Sequence, residues 1–146
     1  MLYFAYGCTM ERVQMKRICP GAKFVAASRL RDHELAFTRM SPFFGGGVAD
    51  LRPAPGKVVE GVLWEIEAKD LKALDDCEDV PRSYSRREVV VETSEGKSVT
   101  AFTYCANSTG EYTPSRRYMK LVISGAEEHD LSLPYVEYLE SIRTRS

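Results

Sequence analysis

The sequence predicts an α+β fold in which a mainly antiparallel sheet, closed or nearly closed into a mixed barrel, is flanked by helices. Many short segments have the pattern of strands, their connections are short, and few helical segments are available to cross between parallel strands. A chain of 146 residues can bury a proper core without metal or disulfides, and this one contains no linker, repeat or low-complexity block. We therefore expect one domain over residues 1–146.

The first elements are a strand and a helix joined by a short turn. Leu2–Tyr6 is predicted as the strand, and Met10–Ile18 as the helix, with Thr9 as its N-cap. Two strands come next, joined by a turn at Arg31–Asp32. A loop over 41–47 leads to two further strands, which a proline-rich turn separates. These four strands are predicted over Lys23–Leu30, Glu34–Met40, Val48–Leu51 and Val58–Ile66.

The second half of the chain mixes helices with one hairpin. Ala68–Cys77 has the apolar spacing of a short helix. Arg86–Glu92 and Lys97–Cys105 are predicted as the two strands of a hairpin around the turn T-S-E-G. A helix is expected after Pro114, and a last one over Tyr135–Ile142.

Composition and charge exclude several classes of function. The formal net charge is −1, so no basic field favours nucleic acid or an anionic membrane surface. No apolar run approaches the length of a transmembrane helix, and no signal-peptide pattern opens the chain, so we expect a cytoplasmic protein. The four cysteines have no zinc or C-x-x-C spacing and the two histidines are far apart, which predicts reduced thiols and no metal site.

The turn between the first strand and helix, Tyr6–Thr9, is a candidate binding site for a small anion. It has one glycine and no lysine, and therefore matches neither the P-loop nor the dinucleotide-binding turn. Its backbone N–H groups lie at a predicted helix N-terminus, which favours negative charge, and Gly7 has no side chain to block a ligand. A carboxylate fits a turn of this size. The alternative is a plain strand-to-helix connection.

The acidic stretch of residues 71–81 contains one carboxylate on the apolar face of its helix. Leu71 and Leu74 define that face, and Glu78 falls near its centre, whereas Asp76 lies nearly opposite. Burial and the neighbouring acids are expected to raise the pKa of Glu78, which suits a general acid–base residue. The alternative is that the helix has already ended and that Glu78 is solvated.

Taken in order along the chain, four segments resemble the γ-glutamylcyclotransferase family: LYFAYG, EGVLWEI, LKALDDCEDV and PSRRYMKLVISGAEEHDLSLPYVEYLESI. The resemblance covers almost the whole chain and is closest to the vertebrate-type enzymes. It implies a mixed β-barrel flanked by helices, no cofactor, and release of 5-oxoproline from a γ-glutamyl compound. The partner that it implies is a small-molecule γ-glutamyl substrate, bound by a monomer or a homodimer.

The resemblance also assigns roles to single residues. Tyr6, Gly7, Cys8 and Thr9 occupy the family's Y-G-S-N turn, whose amides bind the α-carboxylate of the substrate. Glu78 takes the place of the catalytic glutamate, and Tyr84 and Tyr118 those of two substrate-side tyrosines. Cys8 replaces serine and Thr9 replaces asparagine in this chain, so contacts through backbone N–H groups survive, whereas a contact through the asparagine amide does not.

The chemistry explains why so few residues are needed. A γ-glutamyl amide carries its own nucleophile, the α-amino group, so the protein has to fold the substrate for ring closure and move a proton. Two other functions are open. A ligand-binding domain on the same fold would bind without turnover. A Cys8-dependent amidohydrolase would use a thiol of lowered pKa, with His33 or His129 as its partner.

Overall fold

A closed five-stranded barrel with four α-helices is formed by residues 1–145, the part of the chain that the computed structural model describes. The strands are β1 (Leu2–Ala5), β2 (Lys23–Ser41), β3 (Gly46–Glu65), β4 (Tyr84–Thr93) and β5 (Ser98–Ala106). The helices are α1 (Arg12–Ile18), α2 (Ala68–Cys77), α3 (Arg116–Glu128) and α4 (Leu133–Ser141). The strand order is β1-β3-β2-β4-β5, and only the closing pair of β1 with β5 is parallel. The predicted fold class is confirmed.

The prediction of four strands between residues 23 and 66 was wrong, because β2 and β3 are two long strands that form one hairpin. The residues predicted as turns form a bulge instead: Arg31 pairs with Val58 and His33 with Pro53, so residues 54–57 of β3 lie opposite Asp32 alone. Asp32 adopts a left-handed conformation with φ of 61°, and its side chain accepts a hydrogen bond of 2.9 Å from Gly56 N. Turn-forming residue types also suit a bulge, which bends a strand without reversing it.

Helix α1 begins later than the sequence predicts. Cys8–Met10 forms one turn of 3₁₀-helix, and Glu11 rather than Thr9 caps α1, by accepting hydrogen bonds from Val13 N and Gln14 N. The hydroxyl of Thr9 instead shares a 2.8 Å hydrogen bond with the hydroxyl of Tyr3. The cap prediction was wrong because a carboxylate two positions later competes for the same free helix amides.

The remaining helices and the second hairpin follow the prediction closely. Helix α2 has the predicted bounds, and β4 and β5 pair around the predicted turn. Ser115 and Ser132 cap α3 and α4 by accepting hydrogen bonds from the amides three residues later. No helix within residues 1–145 combines the length and the apolar character that a membrane crossing requires.

Close packing fixes the segment that follows β1 between the barrel and α3. Trp64 on β3 is buried, and its indole N–H donates a 3.1 Å hydrogen bond to the carbonyl of Thr9. On the other side, a Cβ on Gly125 of α3 would lie 2.6 Å from Glu11 N, a distance that only glycine avoids. The backbone of the turn after β1 is therefore held on two sides, by the Trp64 side chain and by helix α3.

Candidate active site

The seven candidate residues all line one cavity of about 520 Å³. They are Tyr6, Gly7, Cys8, Thr9, Glu78, Tyr84 and Tyr118. The cavity lies at one end of the barrel, where β1, β2 and β5 end and where β3 and β4 begin. Helix α2 contributes Glu78 at its C-terminal end, and the first turn of α3 contributes Tyr118. The seven candidate residues, from four separate segments of the chain, thus meet at a single site.

Two backbone N–H groups of the turn that lines this cavity have no acceptor among the described residues. The carbonyls of Gly7 and Cys8 accept hydrogen bonds of 3.1 Å from Met10 N and Glu11 N, which closes the 3₁₀ turn. The N–H groups of Cys8 and Thr9 precede the first bond of that turn, and within residues 1–145 they donate no hydrogen bond. An anionic group in the cavity can therefore accept from them.

Two tyrosine hydroxyls are held by the same residue of β3. The hydroxyl of Tyr84 donates to the carbonyl of Ala49 at 2.8 Å, and the hydroxyl of Tyr118 accepts from Ala49 N at 3.0 Å. Because Tyr118 uses its oxygen as the acceptor, its own hydrogen stays available to a ligand. A Cβ on Gly7 would lie 2.9 Å from that hydroxyl oxygen, so the turn packs directly on Tyr118.

Glu78 is the acid that faces the cavity. Its backbone N–H donates to Leu74 O at 2.9 Å, which places it at the last turn of α2. Its side chain is partly buried, and its carboxylate makes no hydrogen bond to any residue between 1 and 145. Burial raises the pKa of Glu78 to about 7. A carboxyl group with this pKa can both accept and return a proton near neutral pH.

The neighbouring acids do not contribute to the raised pKa of Glu78, contrary to the expectation from the sequence. Asp75 accepts a 2.7 Å hydrogen bond from the hydroxyl of Tyr104. Asp76 is exposed and pairs with Lys72 at 3.1 Å, and Asp79 accepts from Ser83 Oγ at 2.7 Å. All three carboxylates are engaged elsewhere, and the burial of Glu78 alone accounts for the change.

The cavity contains no activated thiol. Burial, followed by the charge of Glu78, raises the pKa of Cys8 to about 12, whereas the amidohydrolase alternative requires a lowered pKa. His33 bonds to Arg31 O, and His129 stacks on Phe24 with ring centroids 4.6 Å apart; neither histidine lines the cavity. A nucleophilic Cys8 would thus lack both its thiolate and its base.

Sequence reasoning missed two basic residues of the cavity. Arg17 from α1 and Arg39 from β2 line it, and neither forms an ion pair with a carboxylate within residues 1–145. Arg39 donates to the carbonyl of Asn107 at 2.8 Å, which holds its side chain in place. The other arginines of α1 and β2 are solvated. No local sequence pattern therefore distinguishes Arg17 and Arg39 from them.

The chain resembles known proteins both in sequence and in fold. The model of the AIG2-like family matches residues 58–139. The chain is 36% identical to the gamma-glutamylcyclotransferases of Homo sapiens and Bos taurus, over 97% of its own length and 78% of theirs. A solved structure of a gamma-glutamyl cyclotransferase superposes with a TM-score of 0.97 at 34% identity, covering 100% of this chain and 89% of the other.

Proposed function

This chain belongs to the γ-glutamylcyclotransferase family of enzymes, and on that premise we propose that it cyclises a γ-glutamyl amino acid or a γ-glutamyl amine. The products are 5-oxoproline and the free amino acid or amine. We assign the general acid–base role to Glu78. Substrate binding is assigned to Tyr6, Gly7, Cys8, Thr9, Tyr84 and Tyr118.

One observation carries the proposal. A carboxylate with a pKa of about 7 shares a cavity with two free backbone N–H groups, and the described residues offer that carboxylate no hydrogen bond. A partly buried acid without a hydrogen-bond partner among the described residues is costly to maintain. Its presence is explained if the missing partner is the ammonium group of a substrate whose carboxylate binds at the turn.

Substrate binding then prepares the ring closure. The α-carboxylate accepts hydrogen bonds from the amides of Cys8 and Thr9, which directs the α-ammonium group toward Glu78. The hydroxyl of Tyr118 has a free hydrogen for an oxygen of the substrate. Holding both ends of the glutamyl group brings the α-nitrogen close to the γ-carbonyl carbon, and such intramolecular positioning is worth several kcal/mol or more.

The proton transfers balance without a cofactor. Glu78 takes a proton from the α-ammonium group, and the freed amine attacks the γ-carbonyl carbon to close the five-membered ring. The bond from that carbon to the amide nitrogen breaks, and Glu78 delivers the proton to the departing nitrogen. After ring closure the former α-nitrogen still carries two protons. It passes one of them to the product amine and keeps the other, so Glu78 ends the cycle as a carboxylate.

The proposed function is tested by measuring 5-oxoproline release from two substrates that differ only in the leaving group, γ-glutamyl-alanine and γ-glutamyl-ethylamine. The pair covers leaving groups with and without a carboxylate, which the guanidinium groups of Arg17 and Arg39 could meet. Release from either compound supports a cyclotransferase. Saturable binding of both without release would instead indicate a ligand-binding domain.

The pH dependence of kcat/KM follows from the pKa of Glu78. Only the carboxylate can accept the ammonium proton, so protonation of Glu78 removes the base. We expect kcat/KM to fall about tenfold per pH unit below pH 7 and to level off above it, because burial raises the pKa of Glu78 to about 7. With a glutamate of ordinary pKa, the fall in kcat/KM would begin only near pH 4.5. A profile that stays flat from pH 8 down to pH 5 would contradict the assignment.

Cys8→Ser is expected to leave turnover within about threefold of the natural enzyme, because the proposed contact uses the backbone N–H and the partly buried thiol is neutral. Rates with saturating γ-glutamyl substrate, measured beside the natural protein, check this expectation. Complete loss of 5-oxoproline release from a folded Cys8→Ser variant would return the thiol mechanism to consideration.

A further inference from the structure

A buried carboxylate outside every motif holds the wall of the cavity in place. Asp50 follows Ala49 on β3 and is 6% exposed. Its Oδ2 accepts a 2.9 Å hydrogen bond from Thr38 Oγ1, and its Oδ1 accepts bonds of 2.8 Å from both Leu51 N and Ala106 N. We infer that Asp50 is a positioning residue for the reaction, which sets the site tyrosines Tyr84 and Tyr118 through the backbone of Ala49.

The Asp50 carboxylate links β3 to β5, two strands that do not pair with each other through their backbones. Within the described chain, β3 pairs only with β1 and β2, and β5 pairs only with β1 and β4. Strand β1 ends at Ala5, and beyond that point the side chain of Asp50 reaches from β3 to the last residue of β5, Ala106. Its two oxygens thus connect β2, β3 and β5 directly beside the cavity.

Tyr84 depends on this connection at two points. Tyr84 pairs with Ala106 across the β4–β5 ladder, and the Ala106 N–H is one of the groups bound by Asp50. Its hydroxyl donates to the carbonyl of Ala49, the residue before Asp50. The backbone and the hydroxyl of Tyr84 are therefore both positioned by groups that Asp50 holds.

Tyr118 depends on the same residue, Ala49, through its other backbone group. Its hydroxyl accepts from Ala49 N, and it lies where a Cβ on Gly7 would be only 2.9 Å away. A rotation or shift of the Ala49 backbone would move both tyrosine hydroxyls and loosen the packing of the turn. Displacements of about 1 Å in a positioning group can reduce the rate of an enzyme by roughly 10²-fold.

The inference rests on the proposed function, and 5-oxoproline release therefore measures both. Asp50→Ala removes all three acceptor contacts and is expected to reduce kcat/KM by roughly 10²-fold. Asp50→Asn keeps an oxygen for Leu51 N and Ala106 N, and its amide can donate to Thr38 Oγ1. We expect this variant to retain kcat/KM within about threefold. Asp50→Ser gives the same comparison if the alanine variant does not fold.

Two further measurements separate positioning from a general loss of stability. Val91→Ala shortens a fully buried side chain of β4 that does not line the cavity, so it controls for destabilisation alone. Tyr84→Phe removes the hydroxyl bound to Ala49 O. In the double variant with Asp50→Ala, the fold reduction in kcat/KM should be smaller than the product of the two single reductions. All rates are expressed per folded molecule, determined by circular dichroism.

Each outcome decides one of the two ideas. Equal rates for Asp50→Ala and Val91→Ala, or losses that multiply in the double variant, would overturn the positioning role while the cyclotransferase activity stands. Activity that vanishes equally in Asp50→Asn and Asp50→Ala would also overturn it, because the role would then belong to the charge. An absence of 5-oxoproline release from the natural protein, in contrast, would reject the proposed function itself.

Discussion

Glu78→Gln is expected to reduce the turnover of a γ-glutamyl substrate by roughly 10²–10⁴-fold, the usual contribution of a positioned general base. Glutamine has nearly the same shape but cannot accept the proton of the α-ammonium group. Because the amides of the turn are unchanged, the variant should still bind the substrate. The measurement is 5-oxoproline release at saturating substrate, with the dissociation constant determined in parallel.

A matched control for this prediction lies on the same helix. Asp76 is exposed, its carboxylate bonds only to Lys72 in the described chain, and it does not line the cavity. Asp76→Asn removes the same kind of charge two residues away and should change kcat by no more than about twofold. Normal turnover by Glu78→Gln, or an inactive Asp76→Asn, would show that Glu78 is not the base.

Gly7→Ala is expected to lower kcat/KM by roughly 10²-fold, because the added Cβ would come within 2.9 Å of the Tyr118 hydroxyl. That hydroxyl already accepts from Ala49 N, so it cannot move aside without breaking a hydrogen bond. Either the turn or Tyr118 must shift, and the proposed contacts to the glutamyl group shift with it. Steady-state kinetics over a range of substrate concentrations measure the effect.

Gly21→Ala is the corresponding control, since a Cβ at that glycine, apart from its two chain neighbours, has no atom of residues 1–145 within 4 Å. The two variants add the same methyl group and differ only in what it meets. We expect Gly21→Ala to have the kinetics of the natural protein. If Gly7→Ala also had them, the packing of the turn on Tyr118 would be unnecessary for activity.

Local patterns predicted those elements whose signals lie within a few residues. Helix α2 has its apolar residues at helical spacing and a proline shortly after its end, and its bounds were predicted correctly. The bulge around Asp32 was predicted as a turn, since the same residue types suit both. Only the continuous pairing of β2 with β3 distinguishes a bend from a reversal, and that pairing is a tertiary property.

The residues of the site also fall into two groups, those that a local pattern predicts and those that depend on distant parts of the chain. The sequence identifies Glu78 as a candidate because its place on a helix face can be calculated from the spacing of two leucines. Asp50 and Arg39 carry no such signal, since their partners are residues far along the chain, such as Ala106 and Asn107. A side chain whose role depends on distant backbone groups becomes visible only once the barrel is closed.

The hydrogen bond from Trp64 to the Thr9 carbonyl has a spectroscopic consequence. Trp64 is the single tryptophan of the chain, so the tryptophan fluorescence of the protein comes from one buried indole that touches the turn. A ligand that engages the amides of this turn changes the polarisation around that indole. The emission spectrum therefore provides a label-free titration signal, and it applies equally to variants that bind a ligand without converting it.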